Sequence, residues 1–345
     1  MSECVERVER KRLDWVDTAR GIAIIAVFCG HFLTPDRRLE VFCYLFHLQL
    51  FFLISGFFFS KNKDLPFSVF LKEQIKRLIV PLVFFGVLNI LFFDFYKDET
   101  SPVMWSQFAS IFTGFKDHPA PELWFMASLF CVSIFYYLIN KIIKNRHAIL
   151  VLSLIIFLFA KVPVITVLLK HLSFLNVYDT PNYLLFFALG DYIFSHLRNF
   201  DFKAQRKKIK YFIHVIGSFL FFCAYGIFTF TPDWYKSYGI NIDGHVIYNA
   251  YRLALTLIII SAVLYVSHLI SDFKILSEIG KNTLVLMGLE MIIKNISLNV
   301  MGMFNISIHL DNALQIVIYC SLLIFLVKIL AFNFFNKSVS YLIGK

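Results

Sequence analysis

Residues 12–32 read RLDWVDTARGIAIIAVFCGHF, an apolar run that opens on Asp17 and Arg20 and closes on His31. About 20 such residues, each rising 1.5 Å, span about 30 Å of hydrocarbon, so the stretch reads as a transmembrane helix. Ionisable side chains are costly in lipid, and their placement has to be accounted for. Arg20 and His31 stand eleven positions apart. At about 100° per residue they return to within about 20° of one face, about 16 Å apart along the axis. Asp17 lies near that face too. The spacing predicts a polar stripe turned into a helix bundle. Two plainer readings stay open: Asp17 and Arg20 as an interfacial ion pair with snorkelling side chains, and His31 as a packing hydrogen bond. Of the three, only the histidine has an ordinary pKa that serves both base and acid near neutrality.

Composition says the same of the whole chain. Its 345 residues are 59% hydrophobic and 18% aromatic but only 16% charged, against about 25% charged in soluble domains. Ten stretches are predicted to span a membrane, at residues 17–34, 41–60, 78–96, 123–140, 149–169, 181–197, 211–230, 249–270, 283–303 and 313–335. The fold expected is an all-α, polytopic bundle forming one domain over 1–345. With both termini cytoplasmic, 22 of the 33 Lys and Arg fall in inner segments, six in outer ones and five within spans, as the positive-inside rule requires. Topology therefore explains the net charge of +10 without a nucleic-acid partner.

The first span lacks a small-residue cleavage site and reads as uncleaved. The cysteines, Cys4, Cys29, Cys43, Cys131, Cys223 and Cys320, form no C-x-x-C pair, and all but the first lie in apolar runs. They read as small buried hydrophobes, and no metal is expected. No soluble domain is visible, so the chemistry belongs to the bundle or its faces.

Five stretches in order resemble the acyltransferase 3 family, membrane enzymes that move acyl groups, usually acetyl, onto sugars of surface polysaccharides. The first is Arg20-x10-His31. FHLQLFFLISGFFF (46–59) is similar to the family's second span, with His47, Ser55 and Gly56. FLKEQIKRLIVP (70–81) resembles its basic loop, here ending in Lys76, Arg77 and Pro81. ELWFMASL (122–129) and SEIGKNTLVLMGLE (277–290) resemble two later motifs. Two departures matter. Glu290 stands where many relatives have a histidine, and Lys72, Lys76 and Arg77 replace a double-arginine pattern. No appended hydrolase-like domain is expected.

The resemblance implies transfer from acetyl-CoA to a hydroxyl of a glycan or lipid-linked saccharide, in a bacterial cytoplasmic membrane and without a metal. It implies His31 as base or acyl carrier, Asp17 orienting Arg20, and Arg20, Lys76 and Arg77 at the donor's phosphates. His47, Glu122, Trp124, Asn282 and Glu290 become candidates for the acceptor site. Trp124 fits an interfacial aromatic belt equally well, Ser55 and Gly56 a close helix contact, and Asn282 with Glu290 a polar pair that steadies the bundle. A different class also fits: a secondary transporter or glycolipid flippase, with Lys161, Asp191, Arg252, Glu290, Lys294 and Lys328 along a substrate path.

Overall fold

The structure is a computed structural model that describes residues 13–31, 37–61, 63–97, 101–113, 118–160, 174–197, 207–230, 245–305, 310, 312–333 and 335. Among the described residues the regular structure is helical, with no strand. The helices are α1 (Asp14–Gly30), α2 (Arg38–Phe57), α3 (Phe67–Gln74), α4 (Val80–Lys97), α5 (Ser101–Thr113), α6 (Trp124–Ile142), α7 (Arg146–Phe159), α8 (Thr180–Leu197), α9 (Lys207–Phe230), α10 (His245–Leu269), α11 (Lys274–Lys281), α12 (Thr283–Met303) and α13 (Ala313–Leu330).

A helix lies at each of the ten expected places, but among the described residues six are long and apolar enough to cross a membrane: Arg38–Phe57, Phe67–Phe93, Pro121–Ile142, Lys207–Phe230, Val246–Leu269 and Thr283–Met303. The others fall short for physical reasons. Helix α1 has 17 residues and α7 has 14, and α8 is diluted by Asn182 and Asp191. Three stretches expected to be loops are helical: the basic segment forms α3, the stretch between the third and fourth spans contains α5, and α11 precedes the ninth span. Of the charges the topology rests on, Arg7, Arg10, Lys11, Arg12 and those in 198–206 lie outside the described residues.

Local chemistry sets several helix ends. Asp14 and Asp17 sit in the first turn of α1, where carboxylates complement the N-terminal dipole. Asn145 caps α7, its side chain accepting from the backbone N–H groups of His147 and Ala148 at 2.9 and 3.3 Å. Between α3 and α4 the helix widens into a π turn, Ile75–Ile79. Pro81 follows it after one residue, Val80. Proline has no N–H to offer the carbonyl four residues back, and the wider turn accommodates that loss while turning Lys76 and Arg77.

Glycines bring the helices together. Gly21 of α1 faces Gly280 of α11, and a Cβ on either would collide with backbone, Leu276 in one case and Asp17 in the other. Gly56 of α2 and Gly190 of α8 form a second crossing, where a Cβ would meet the backbone of Phe187 or Leu53. Lipid tails are as apolar as leucine, so helices in a membrane associate by such close packing and not by hydrophobic burial. The Gly of the Ser55-Gly56 pair is thus a close helix contact. Behind it the core is aromatic: the rings of Phe52 and Tyr183 stack at 4.3 Å, with the Phe125 ring edge-on to Phe52 at 5.2 Å. Helix α9 turns Tyr211, Phe219 and Phe222 outward, a surface suited to lipid and not to water.

Candidate functional site

His31 closes α1, and two residues of α12 hold it. Its Nδ1 lies 2.5 Å from Oε1 of Glu290. One helical turn on, the ammonium of Lys294 donates to the His31 carbonyl oxygen at 2.7 Å. Residues four apart share a helix face, so a single face of α12 grips both the ring and the backbone of His31. Glu290 is 1% exposed, while the His31 side chain keeps 22% of its surface. With the carboxylate accepting from Nδ1–H, the ring is held in the tautomer that leaves Nε2 free to take a proton.

Around this pair stand Tyr44, His47 and Glu122. The Tyr44 ring is 6.2 Å from that of His31 and 5.3 Å from that of His47. His47 is buried, and its Nδ1–H donates to the Cys43 carbonyl at 2.5 Å, a bond within its own helix that fixes the ring. Glu122 lies in the turn Pro121–Leu123 that opens α6 and packs on α12. The charges of Glu290 and Lys294 both act on it. Oε1 of Glu122 and Oε2 of Glu290 are buried and have no hydrogen-bond partner among the described residues.

The N-terminal half of α1 carries the pair of Asp17 and Arg20. Arg20 donates to Asp17 at 3.3 Å, and its guanidinium lies 5.4 Å from the centre of the Phe58 ring. Phe58 borders a narrow crevice whose walls include Ser55, Gln74 and Arg77. Arg77 thus lines the crevice, and Arg20 reaches it only through Phe58, one of its walls. Gln74 in its wall is 3% exposed, and its Oε1 has no partner among the described residues. Lys76 is half-buried on the same π turn, but it is not among the residues that line the crevice.

The candidates thus separate. His31, His47 and Glu290 come together at the C-terminal end of α1, with Glu122 packed on α12; Asp17 and Arg20 pair towards its other end, and Arg77 lines the crevice that Phe58 borders. Two fall elsewhere. Trp124 packs 5.9 Å from Tyr183 in the aromatic core. Asn282 sits at the joint of α11 and α12, donating to the Glu278 carbonyl at 2.9 Å, about 12 Å along the helix axis from Glu290. It lies at that joint and not beside His31. Tyr44 was missed by sequence reasoning, and Lys294 was read only as part of a solute path; its four-residue spacing from Glu290 was the available signal for its place beside His31. Buried histidines do not all qualify as bases: burial pushes His118 down to about 4, and its Nδ1 accepts from the Ala120 N–H at 3.0 Å.

Of the other charges a solute path would use, Asp191, Lys328 and Arg252 each have a local partner. Tyr136 donates to Asp191 at 3.0 Å, Lys328 pairs with Glu278 at 2.6 Å, and Arg252 lies over the ring of Tyr248. Lys161 lies outside the described residues. In comparison with known proteins, a family model described as an acyltransferase domain matches residues 13–332. No curated protein and no solved structure matches the chain.

Proposed function

The chain belongs to the acyltransferase 3 family, and from that premise we propose that it moves an acetyl group from cytoplasmic acetyl-CoA to a sugar hydroxyl of a surface glycan or lipid-linked saccharide. The observation that carries this reading is the contact of His31 Nδ1 with Glu290 at 2.5 Å. It is the arrangement of a base and its orienting carboxylate. Nε2 of His31 takes the proton of the sugar hydroxyl as its oxygen attacks the thioester carbonyl. As the intermediate collapses, the C–S bond breaks and the imidazolium returns the proton to the departing thiolate. The Lys294 ammonium, donating to the His31 carbonyl, holds the backbone that carries the ring.

The donor supplies an activated acyl group at the end of a long arm headed by phosphates. Arg20 and Arg77 at the inner crevice suit those phosphates, and guanidinium groups recognise them in a bidentate way. About 16 Å separates Arg20 from His31 along the helix, so the arm runs through the bundle from the inner face towards the outer half. That direction goes with a bundle of ten spans in a single domain, both termini cytoplasmic, in a bacterial cytoplasmic membrane. The distribution of Lys and Arg supports it.

Kinetics of a folded Arg77→Ala variant test this arrangement. The KM for acetyl-CoA is expected to rise about tenfold with kcat within about twofold, since a phosphate contact remote from the reacting carbon contributes mostly uniform binding. An unchanged donor KM would leave Arg77 as a topology anchor. Absence of acetyl-CoA turnover by the unmodified protein would contradict the proposed function itself.

A further inference from the structure

Glu290 is offered to His31 by α12, and α4 holds α12 from behind. Asn89 of α4 is fully buried, and its Nδ2 donates twice: to the Phe85 carbonyl of its own helix and to the Gly288 carbonyl of α12, both at 2.8 Å. Both neighbours are carbonyl oxygens, so the atom between them is the amide nitrogen, with both of its hydrogens used. The bond to Phe85 directs the side chain, and the bond to Gly288 fixes how α12 is turned against α4. At the same level a Cβ on Gly288 would collide with the Phe85 ring, so ring and glycine backbone lie in close contact.

Gly288 and Glu290 are two residues apart, about 200° round the helix. The face of α12 held by Asn89 is therefore nearly opposite the face that brings Glu290 to the His31 ring at 2.5 Å and Lys294 to the His31 carbonyl at 2.7 Å. A side-chain end stands about 6 Å from the helix axis, so a turn of about 20° carries it about 2 Å. That is enough to part Glu290 from His31, and a misplacement of about 1 Å can cost a reaction about 10²-fold.

Stability does not account for Asn89. Its Oδ1 is buried with no hydrogen-bond partner among the described residues, which is a cost to the fold. Neither carbonyl depends on the amide, because a carbonyl inside an α-helix also accepts from the N–H four residues on. We propose, resting on the acyltransferase reading, that Asn89 is a positioning residue: by bonding Gly288 it holds α12 in the rotation at which Glu290 reaches His31.

Asn89→Leu keeps the size of the side chain and removes the amide. Its kcat for acyl transfer is expected to fall about tenfold or more, with the KM for acetyl-CoA within about twofold and the thermal unfolding midpoint in detergent unchanged or raised. The loss should vanish in a Glu290→Leu background, because residues that act through one contact are not additive. A folded Asn89→Leu protein with normal kcat would overturn the proposal. So would a loss by the same factor with and without Glu290, the pattern of a fold weakened independently of that contact. If Asn89→Leu does not elute as a single species, Asn89→Ala is held to the same criteria. A wild-type protein that consumes no acetyl-CoA would instead strike the acyltransferase reading beneath the proposal.

Discussion

His31→Ala abolishes acyl transfer, by about 10²–10⁴-fold or to the limit of detection, while the protein still inserts and binds acetyl-CoA. The size is that of a general base removed from its reaction. The selectivity follows from geometry. His31 ends α1 and keeps part of its surface exposed, so truncating it removes no buried core group. The donor's phosphates are assigned to Arg20 and Arg77, about 16 Å away along the helix, and their affinity should survive. Elution as a single species in detergent and donor binding, measured on one preparation, separate this outcome from loss of the fold. A variant that turns over at near the normal rate would remove His31 from the chemistry.

The second large effect belongs to Glu290. Its pairing with His31 predicts that Glu290→Leu loses about 10²-fold or more in kcat for both acyl transfer and slow donor hydrolysis. Without the carboxylate, Nδ1 loses the partner that sets the tautomer, and Lys294 is left beside an uncharged neighbour. Glu290→Gln should fall less, because the amide oxygen can still accept from Nδ1–H although it no longer stabilises an imidazolium. Glu290 as an acceptor contact alone would give a different pattern: donor hydrolysis intact and a raised KM for the sugar. Measuring both reactions on both variants tells the two apart.

What the sequence made legible were features within one helix or one short motif. Three turns of helical periodicity link Arg20 to His31, and the same helix pairs Asp17 with Arg20 at 3.3 Å. The small residues of the second span and of the Ile-Gly-Lys-Asn stretch mark real crossings, because only glycine permits backbones to touch at Gly56 and Gly280. Contacts across the chain were not legible. His31 and Glu290 are 259 residues apart, and no periodicity joins them. Glu290 was read as a sugar contact because it replaces a histidine, and its bond to His31 had no local signal. The position of Asn282 at the joint of two helices, where it bonds the carbonyl of Glu278, had no signal in its motif either. The span count was blurred at its edges, since 17 residues in α1 read as a crossing by pattern while falling short by length alone.

The central claim is tested most directly with sealed vesicles of known orientation, carrying either the wild-type protein or His31→Ala, and acetyl-CoA labelled in the acetyl group. The account predicts that label supplied on the face bearing the basic loops appears in a base-labile ester on saccharide, that label supplied on the opposite face does not, and that His31→Ala gives none from either. Labelled ester formed by the His31→Ala vesicles, or saccharide crossing the wild-type membrane with no label leaving acetyl-CoA, would contradict it.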